Sequence, residues 1–342
     1  MSVRKENDMP TTNYYDVLEV SPKARPAVIS AAWKALSREY GDANPERRVL
    51  NEAHDALCDP DKRKAVDEAL NPPKKPANKG ARIGSYRILD QIAEGGFGVT
   101  YRARHEFSGE LACIKHSLNI SPVDEALMLE EAKAVWDLRH YALPAVRDIV
   151  RLSDGSVAII MSYVPGRNIQ QIVEKHGAMD AEHVCWITQR VLNALYYLHD
   201  HGVIHGDVKP ANIIVQPDTH QVVLVDYGLA LVKPGRDTKN KGYTPLFASP
   251  EQRDGKVLLP ESDLYSLGLT MLYALSGNPD WVASLKVPDD TPDPVCDFIK
   301  KLLVRNVKGR PNWQKENLCE TIATVREQAF GRRASNMKPL KI

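Results

Sequence analysis

The sequence predicts an α+β protein in which a small all-α unit precedes a larger part with a strand-rich lobe and a helix-rich lobe. Three observations support this prediction. Apolar residues follow helical spacing through the first seventy residues, a proline-rich stretch comes next, and β-type runs then give way to long helical segments after about residue 168. With 342 residues, 43% of them hydrophobic, the chain can bury a sizeable core.

The stretch "NPPKKPANKGAR" separates the two parts of the chain. It contains three prolines, one glycine and four basic residues, a composition that disfavours both helix and strand. We therefore expect a helical module over residues 12–70, a linker over 71–83, the two-lobed domain over 84–328 and a loose basic tail over 329–342.

Apolar periodicity predicts the individual elements of both parts. Two helical stripes in the first part consist of Val28, Ala32, Ala35 and Leu36, and then of Val49, Ala53, Ala56 and Leu57. Four β-type runs in the second part are Tyr86 to Ile92, Val99 to Arg104, Leu111 to Lys115 and Val157 to Met161. The longest apolar stretch, Leu264 to Leu275, predicts a buried helix that is too short to cross a bilayer.

The overall composition narrows the classes of function. The 45 basic and 44 acidic residues nearly cancel, so we expect neither nucleic-acid binding nor membrane insertion. Five cysteines lie far apart without a C-x-x-C pair, which predicts reduced thiols rather than a disulfide framework or a zinc site. The N-terminus has no apolar segment of the secretory type, so we expect a cytoplasmic protein.

Three glycines, Gly95, Gly96 and Gly98, lie between two apolar strands, and Lys115 ends the strand that follows. A glycine-rich hairpin can approach a polyphosphate and direct backbone N–H groups at it, although such hairpins are also ordinary turns. Because Lys115 has apolar neighbours, its ammonium needs an anionic partner. The candidate is Glu131, on the apolar face of the next predicted helix, with surface exposure as the open alternative.

The loop "HGVIHGDVKPAN" contains Asp207, Lys209 and Asn212 between two apolar runs. Asp226 follows at the end of the apolar run "VVLV", before Tyr227 and a glycine, where it can project into a cleft. Carboxylate and amide oxygens are the ligands that Mg²⁺ prefers, and Mg²⁺ usually arrives with a nucleotide. Together these residues predict phosphoryl transfer.

Over residues 86 to 328, the order of these motifs resembles the eukaryotic-type (Hanks-type) serine/threonine protein kinase family. The resemblance implies a two-lobed protein kinase fold with a β-rich N-lobe and a helical C-lobe. It also implies transfer of phosphate from ATP to serine and threonine of protein substrates, itself included, with Mg²⁺ or Mn²⁺ as the metal. In this family's terms, Asp207 accepts the proton of the substrate hydroxyl and Lys209 steadies the γ-phosphate. The implied metal ligands are Asn212 and Asp226.

The resemblance also implies a nucleotide site. Lys115 would bind the α- and β-phosphates and pair with Glu131. Met161 would be the gatekeeper before the hinge residues that meet adenine, Ser162 to Val164. The residues implied in nucleotide binding are Ile92, Ala93, Glu94, Gly95, Gly96, Phe97, Gly98, Val99, Thr100, Lys115, Glu131, Ser162 and Val164.

Further correspondences lie in the second half of this region. Thr244 in "TPLF" resembles serine/threonine rather than tyrosine kinases. The resemblance implies that Glu251 pairs with Arg310 and that Asp263 braces the catalytic loop.

Three positions depart from the family pattern. Ala93 stands where the first loop glycine usually lies, and Thr100 replaces the valine that usually covers adenine. Gly206 replaces the arginine that usually receives the phosphate of a modified activation loop. We therefore expect activity that does not need that phosphate.

Residues 13 to 70 resemble a J-domain. Tyr14 to Leu18 matches its first helix, Trp33 to Tyr40 its second, and "NEAHDALCDPDKRKAVD" its third with the following turn. Gly41-Asp42-Ala43 replaces the His-Pro-Asp tripeptide that stimulates DnaK-type chaperones. We therefore expect a degenerate J-domain that docks a protein, a DnaK-type chaperone among the candidates, or selects substrates, rather than a working co-chaperone.

A second interpretation is an ATP-binding pseudokinase scaffold that docks a chaperone or another partner. Pseudokinases commonly lose one or more of five family residues, and this chain keeps all of them, which favours an active enzyme. The five are Lys115, Glu131, Asp207, Asn212 and Asp226. In the tail, "RRAS" offers Ser335 as a site of self-modification.

Overall fold

The structure is a computed structural model that describes most of the chain. The described residues are 13–20, 22, 24–38, 44–70, 78–95, 98–118, 125–126, 129, 132–133, 135–216, 221–235, 238, 240–332 and 340. The chain divides into two units, Met1–Lys75 and Pro76–Ile342.

Helices packed around a small apolar core form the first unit. They are α1 (Tyr14–Val17), α2 (Pro26–Leu36), α3 (Pro45–Cys58) and α4 (Pro60–Leu70). Proline opens α2 and α3, where its missing N–H costs no helical hydrogen bond. The Tyr15 hydroxyl donates to Asp67 Oδ1 at 2.6 Å and so ties α1 to α4. The core consists of Tyr15, Leu18, Ile29, Leu50, Ala53 and Leu57.

The apolar stripes predicted for α2 and α3 are wrong at Val28, Ala35 and Val49, which are exposed. Val28 is 49% exposed and Val49 is 37% exposed, whereas the neighbouring Ile29 and Leu50 are buried. Each helix offers two adjacent apolar residues, and one position corresponds to a rotation of about 100° around the helix axis. A shift of one residue therefore changes which side chain enters the core.

The helix bounds also differ from those that the J-domain resemblance implied. The second helix begins at Pro26 and ends at Leu36, instead of running from Trp33 to Tyr40. Beyond the third helix, α4 occupies a stretch for which only a turn was expected. The position of Gly41-Asp42-Ala43 lies outside the described residues. These helices do not identify the unit as a J-domain.

A six-stranded antiparallel sheet forms the first lobe of the second unit. Its strands are β1 (Arg82–Ile83), β2 (Tyr86–Gly95), β3 (Gly98–His105), β4 (Leu111–Ser117), β5 (Val146–Arg151) and β6 (Val157–Ser162), in the order β1-β2-β3-β4-β6-β5. The four predicted β-type runs lie within β2, β3, β4 and β6. One face of the sheet buries apolar side chains such as Val99 and Ile114, and the other face contributes Thr100 and Lys115 to a cleft.

The predicted linker extends too far, because its last residues belong to this sheet. Ile83 pairs with Tyr86 and is 1% exposed. Gly80 N donates to the Ile88 carbonyl at 2.9 Å. Residues 71–77 lie outside the described part of the chain.

The second lobe is mainly helical. Its helices are α5 (Ile169–His176), α6 (Ala181–Asp200), α7 (Pro250–Arg253), α8 (Pro260–Ser276), α9 (Pro279–Ala283), α10 (Asp293–Leu302) and α11 (Leu318–Phe330). Short strands, β7 (Arg167–Asn168), β8 (Val203–Ile204), β9 (Ile213–Gln216), β10 (Gln221–Leu224) and β11 (Leu231–Val232), form a three-stranded sheet β10-β9-β7 and the pair β11-β8. The apolar stretch Leu264 to Leu275 is a buried part of α8, as predicted. None of the helices in the described part of the chain combines the length and apolar character that a membrane crossing requires.

The C-terminal tail starts later than predicted. Phe330 still belongs to α11, and Arg332 donates to both carboxylate oxygens of Glu182, at 2.6 and 2.5 Å. Leu340 packs against the core of the helical lobe. Ser335 lies outside the described residues.

Candidate active site

A cavity of about 280 Å³ lies between the sheet and the helical lobe. Its wall on the sheet side includes Ala93, Thr100 and Lys115, and its opposite wall includes Asn212 and Asp226. The end of β6 and the segment after it line the cavity with the predicted hinge residues, Ser162 to Val164. The cavity therefore brings together residues from both halves of the predicted site.

Lys115 and Asp226 form an ion pair in this cavity. Lys115 lies on β4, and its Nζ is 2.6 Å from Asp226 Oδ1. Asp226 follows β10 with a φ of 69°, a left-handed conformation that turns the chain sharply at the strand end. Burial opposes ionisation of this carboxyl, but the Lys115 ammonium and the Gly228 N–H outweigh it and lower the pKa of Asp226. Lys115 therefore has an anionic partner, but that partner is Asp226, and the predicted partner Glu131 lies outside the described residues.

The glycine-rich hairpin joins β2 and β3, where Gly95 pairs with Gly98. Gly98 has a φ of +130°, and a Cβ there would fall on the carbonyl oxygen of His116. Only glycine fits this position without moving the backbone. Gly96 and Phe97 lie outside the described part of the chain.

Four residues predicted around this hairpin differ in where they lie. The Val99 side chain is 1% exposed and belongs to the core of the sheet, so only its backbone can reach a nucleotide. Thr100 and Ile92 line the cavity. Glu94 is exposed and accepts a hydrogen bond from Gln91 Nε2 at 3.1 Å.

The hinge segment lines the far end of the cavity. Met161, Ser162 and Val164 all border it. Ser162 is fixed against the chain before β5, because its N–H donates to the Ala145 carbonyl and its Oγ accepts from Ala145 N, both at 2.9 Å. The hinge is therefore held by two hydrogen bonds that leave its cavity side open to a ligand.

The predicted reactive loop forms a hydrogen-bonded cluster beside the cavity. Asp207 is 8% exposed, and its Oδ2 lies 2.6 Å from Lys209 Nζ. Thr244 donates from Oγ1 to Asp207 Oδ1 at 2.7 Å and accepts from Lys209 Nζ at 2.9 Å. Asn212 Nδ2 donates to the Asp207 carbonyl at 2.9 Å and to Oδ2 at 3.1 Å. Three side chains, those of Lys209, Asn212 and Thr244, thus fix one carboxylate, and Thr244 lies 37 positions away in the sequence.

Asp263 on α8 holds the loop through hydrogen bonds to its backbone, as the resemblance implied. Its Oδ1 accepts from Gly206 N and its Oδ2 from His205 N, both at 2.8 Å. His199 Nε2 lies 2.8 Å from Oδ2, and Trp313 Nε1 donates to His199 Nδ1 at 2.8 Å. Because Nδ1 accepts, Nε2 carries the proton that bonds Asp263. This buried carboxylate fixes the backbone immediately before Asp207.

Gly206 has a backbone conformation that explains glycine at this position. Its φ is +73°, and a Cβ would lie 2.7 Å from the Leu229 carbonyl oxygen. The absent arginine is therefore accompanied by a backbone shape that disfavours any side chain.

Glu251 and Arg310 form the predicted ion pair. Two hydrogen bonds join them, from Arg310 Nη1 to Oε1 at 2.7 Å and from Nη2 to Oε2 at 2.9 Å. Arg310 is 2% exposed. Burial opposes ionisation of the carboxyl, yet the guanidinium hydrogen bonds lower the pKa of Glu251. The pair anchors α7 to the segment that follows α10.

The donor set at this site fits a hard cation that arrives with a nucleotide. Asn212 uses its amide nitrogen on Asp207, so its oxygen is the atom that can bind a cation. The ionised Asp226 carboxyl lines the same cavity. Oxygen ligands of these two kinds suit Mg²⁺, which takes the rest of its shell from phosphates and water.

Sequence reasoning missed several cavity residues. Cys113 lies two positions before Lys115 on β4 and lines the cavity with it, as the alternation of a strand could have shown. Burial raises the pKa of the Cys113 thiol to about 12, so this side chain remains a neutral part of the wall. Pro144, Asn168 and Gln171 also border the cavity, but Pro144 lies in a connecting segment and the other two lie at the end of β7 and in the first turn of α5, where no recognisable motif marks them.

Comparison with known proteins identifies the family of the second unit. The protein kinase domain family profile matches residues 86–320. Serine/threonine-protein kinase pkn3 of Myxococcus xanthus is 34% identical over 205 residues, which cover 56% of this chain and 38% of that protein. Serine/threonine-protein kinase F of Synechocystis sp. is 29% identical over 265 residues, covering 66% of this chain and 52% of that one. Serine/threonine-protein kinase AfsK of Streptomyces coelicolor is 30% identical over 253 residues, which cover 68% of this chain and 31% of that protein.

The fold and the matched region define a two-lobed protein kinase domain, and the chain belongs to the protein kinase family. It spans between about a third and a half of the length of these relatives, since the matched regions cover 38%, 52% and 31% of them. The family match leaves residues 1–85, including the first unit, outside it.

Proposed function

We propose that this chain is a kinase that transfers the γ-phosphate of ATP to serine and threonine hydroxyls of protein substrates. The proposal rests on one observation above all, the cluster of Asp207, Lys209 and Thr244 beside a cavity that contains Lys115 and Asp226. The cluster offers a proton acceptor and a cation, and the cavity offers a second cation and a metal-binding carboxylate. Phosphoryl transfer requires this combination.

Each side chain has a distinct task in this proposal. Bound ATP with Mg²⁺ supplies the phosphoryl group and the charge that neutralises its oxygens. Asp207 orients a substrate hydroxyl and takes its proton, a contribution that is typically about 10²- to 10⁴-fold in rate. Lys209 stabilises charge on the transferring group, and Lys115 holds the remaining phosphates. Asn212 and Asp226 supply oxygens to the metal.

The choice of serine and threonine rests on Thr244. Its hydroxyl contacts both Asp207 and Lys209, so the base and the cation are tied to the segment that precedes α7. The relatives named above are serine/threonine kinases by name. Ser335, as a site of autophosphorylation, extends this proposal to the chain itself.

The alternative, a pseudokinase scaffold that binds ATP without transfer, is tested by labelling. The full chain is incubated with ATP labelled at the γ-phosphate and Mg²⁺, beside Asp207→Ala and Asp226→Ala. We expect label on protein with the wild type and its loss in both variants. Equal label in all three chains would contradict the kinase proposal, and ATP binding without any label would favour the scaffold.

We also propose that the first unit is a docking module for a protein, as its resemblance to a J-domain suggests. In the part of this unit that the structure describes, helices pack around a small core and leave their polar faces to a partner. The test is binding of a purified DnaK-type chaperone to the full chain and to a chain without residues 1–75. Equal binding by both would exclude the first unit as the docking site. Faster ATP hydrolysis by the chaperone would instead indicate a working co-chaperone.

The cysteines support a cytoplasmic location. All five, Cys58, Cys113, Cys185, Cys296 and Cys319, are free thiols. Free thiols are typical of a reducing compartment.

A further inference from the structure

The side chain of Gln252 bridges the catalytic loop and the segment between Asp226 and Glu251, the activation segment. It is 3% exposed. Its Nε2 donates to the Gly206 carbonyl at 2.8 Å and to the Gly242 carbonyl at 3.2 Å. One buried amide therefore joins the residue before Asp207 to the residue two before Thr244.

The backbone of Gln252 makes a second connection to the same segment. Asn240 Nδ2 donates to the Gln252 carbonyl at 2.8 Å. Gln252 itself is held in place because it lies on α7, next to Glu251, whose bidentate pair with Arg310 anchors that helix. Residues 240 to 242 are thus fastened to a helix that has its own anchor.

The chemistry of the amide suits this task without any modification of the chain. An NH₂ group has two hydrogens, which match two carbonyl acceptors, and it carries no charge. Arginine before the catalytic aspartate would hold the segment only after a phosphate had been added. Here that position is Gly206, and its backbone conformation disfavours a side chain.

We propose that Gln252 is a positioning residue that holds the unphosphorylated activation segment against the catalytic loop, and so keeps Thr244 on Asp207. The role rests on the proposed kinase function, because it acts through Asp207. Loss of the amide leaves the Gly206 and Gly242 carbonyls without this donor and frees residues 240 to 242 to move away.

The test compares Gln252→Met with Gln189→Met in the full chain. Methionine keeps the approximate volume and removes the donor. Gln189 is a close match, since its Nε2 also donates to a backbone carbonyl, that of Cys319 at 3.4 Å, and its own carbonyl also accepts from an asparagine, Asn193, at 2.8 Å. It lies on α6.

For Gln252→Met we expect kcat to fall about tenfold, because a lost buried hydrogen bond weakens the active arrangement. The Kd for ATP and the unfolding midpoint should stay close to those of Gln189→Met. Phosphatase treatment of the wild type, with the phosphatase then removed, should leave kcat unchanged. Wild-type kcat in Gln252→Met, or a loss of kcat and ATP affinity together, would overturn the proposal.

A fall in wild-type kcat after phosphatase treatment would also overturn it. A second variant, Gln252→Glu, keeps the shape and places a carboxylate against two carbonyls, so kcat should fall at least as far as in Gln252→Met. Activity of Gln252→Glu equal to wild type would contradict the proposed hydrogen bonds. An inactive wild type would refute the kinase function itself, which separates the two failures.

Discussion

The ammonium of Lys115 lies 2.6 Å from Asp226 Oδ1, although 111 positions of sequence separate the two residues. Each side chain needs the other in the absence of nucleotide, because both lie in a cavity where an unpaired charge is costly. In the proposed kinase function, the same two charges serve the phosphates and the metal. This ion pair joins β4 of the sheet to the segment that follows β10 in the helical lobe.

The pair makes a prediction about pH. Lys115 lowers the pKa of Asp226 in the folded chain, so the stability from this pair is present above the ordinary aspartate pKa and is lost as pH falls through the lowered value. Lys115→Met removes the largest cause that lowers this pKa and leaves burial opposed mainly by the Gly228 N–H, so Asp226 should titrate at higher pH. Carboxyl ¹³C NMR of labelled aspartate measures this midpoint. Lys300→Met, at a 70% exposed side chain, is the control, and an unchanged midpoint in Lys115→Met would contradict the assignment.

The glycine-rich hairpin gives a second prediction. In Gly98→Ala the new methyl group meets the His116 carbonyl, so the hairpin must shift and we expect the Kd for ATP to rise about tenfold. Gly109→Ala is the control. Gly109 also has a positive φ, +75°, so alanine there causes backbone strain, but no atom lies within 4 Å of the added Cβ and there is no steric clash. Isothermal titration with ATP compares them. Equal affinities in the two variants would show that the hairpin does not contact the nucleotide.

The ion pair between Glu251 and Arg310 is expected to stabilise the helical lobe. Glu251→Gln removes one partner of a buried pair, which typically costs about 3–5 kcal/mol in the free energy of unfolding. Asp297→Asn, in a pair with Lys300 whose side chains are 76% and 70% exposed, should change it by less than about 0.5 kcal/mol. Urea unfolding of the full chain measures both.

The same pair predicts a dependence on pH. The lowered pKa of Glu251 means that its stabilisation is present above the ordinary glutamate pKa and declines as pH falls through the lowered value. The difference in unfolding free energy between wild type and Glu251→Gln should therefore shrink in acid. A difference that stays constant between neutral and acid pH would show that the pair is not ionic.

Two threonines of the activation segment should differ sharply on the same substitution. Thr238 accepts a hydrogen bond from Gly235 N at 2.8 Å and touches neither Asp207 nor Lys209 in any hydrogen bond described. Thr238→Ala should keep most of the activity, because the segment needs no phosphate there. Thr244→Ala should lose most of it, since Thr244 contacts both Asp207 and Lys209, the proposed base and cation. Steady-state kinetics measure the activity of both variants. Complete loss of activity in Thr238→Ala would refute the expectation that activity does not need a phosphate on the activation segment.

Motifs whose chemistry is strict could be predicted from the sequence. The positions of the loop with Asp207 and of the strand end with Asp226 are two examples. An acid that directly follows a buried apolar strand is expected to face a cleft rather than the core, and Asp226 lines the cavity. The pairing of Glu251 with Arg310 was also predicted, through the resemblance to a family. In each case the residue type limits the partner, since a buried charge requires its opposite.

Elements without periodicity could not be predicted. β1 is two residues long, and β5 lies at the sheet edge with most of its side chains exposed or half-buried, so neither shows a clear apolar alternation. The role of Gln252 could not be predicted for a different reason. Its function lies in hydrogen bonds to the carbonyls of Gly206 and Gly242, and a backbone acceptor leaves no mark in the sequence.

The central claim is that Asp207 is the proton acceptor in a phosphoryl transfer. It is tested most directly by the initial rate of phosphate transfer to a protein substrate, measured beside ATP affinity, for wild type, Asp207→Asn and the exposed control Asp297→Asn. We expect Asp207→Asn to lose at least about 10²-fold in rate with little change in the Kd for ATP, and Asp297→Asn to match the wild type. A rate for Asp207→Asn equal to that of wild type would contradict the account.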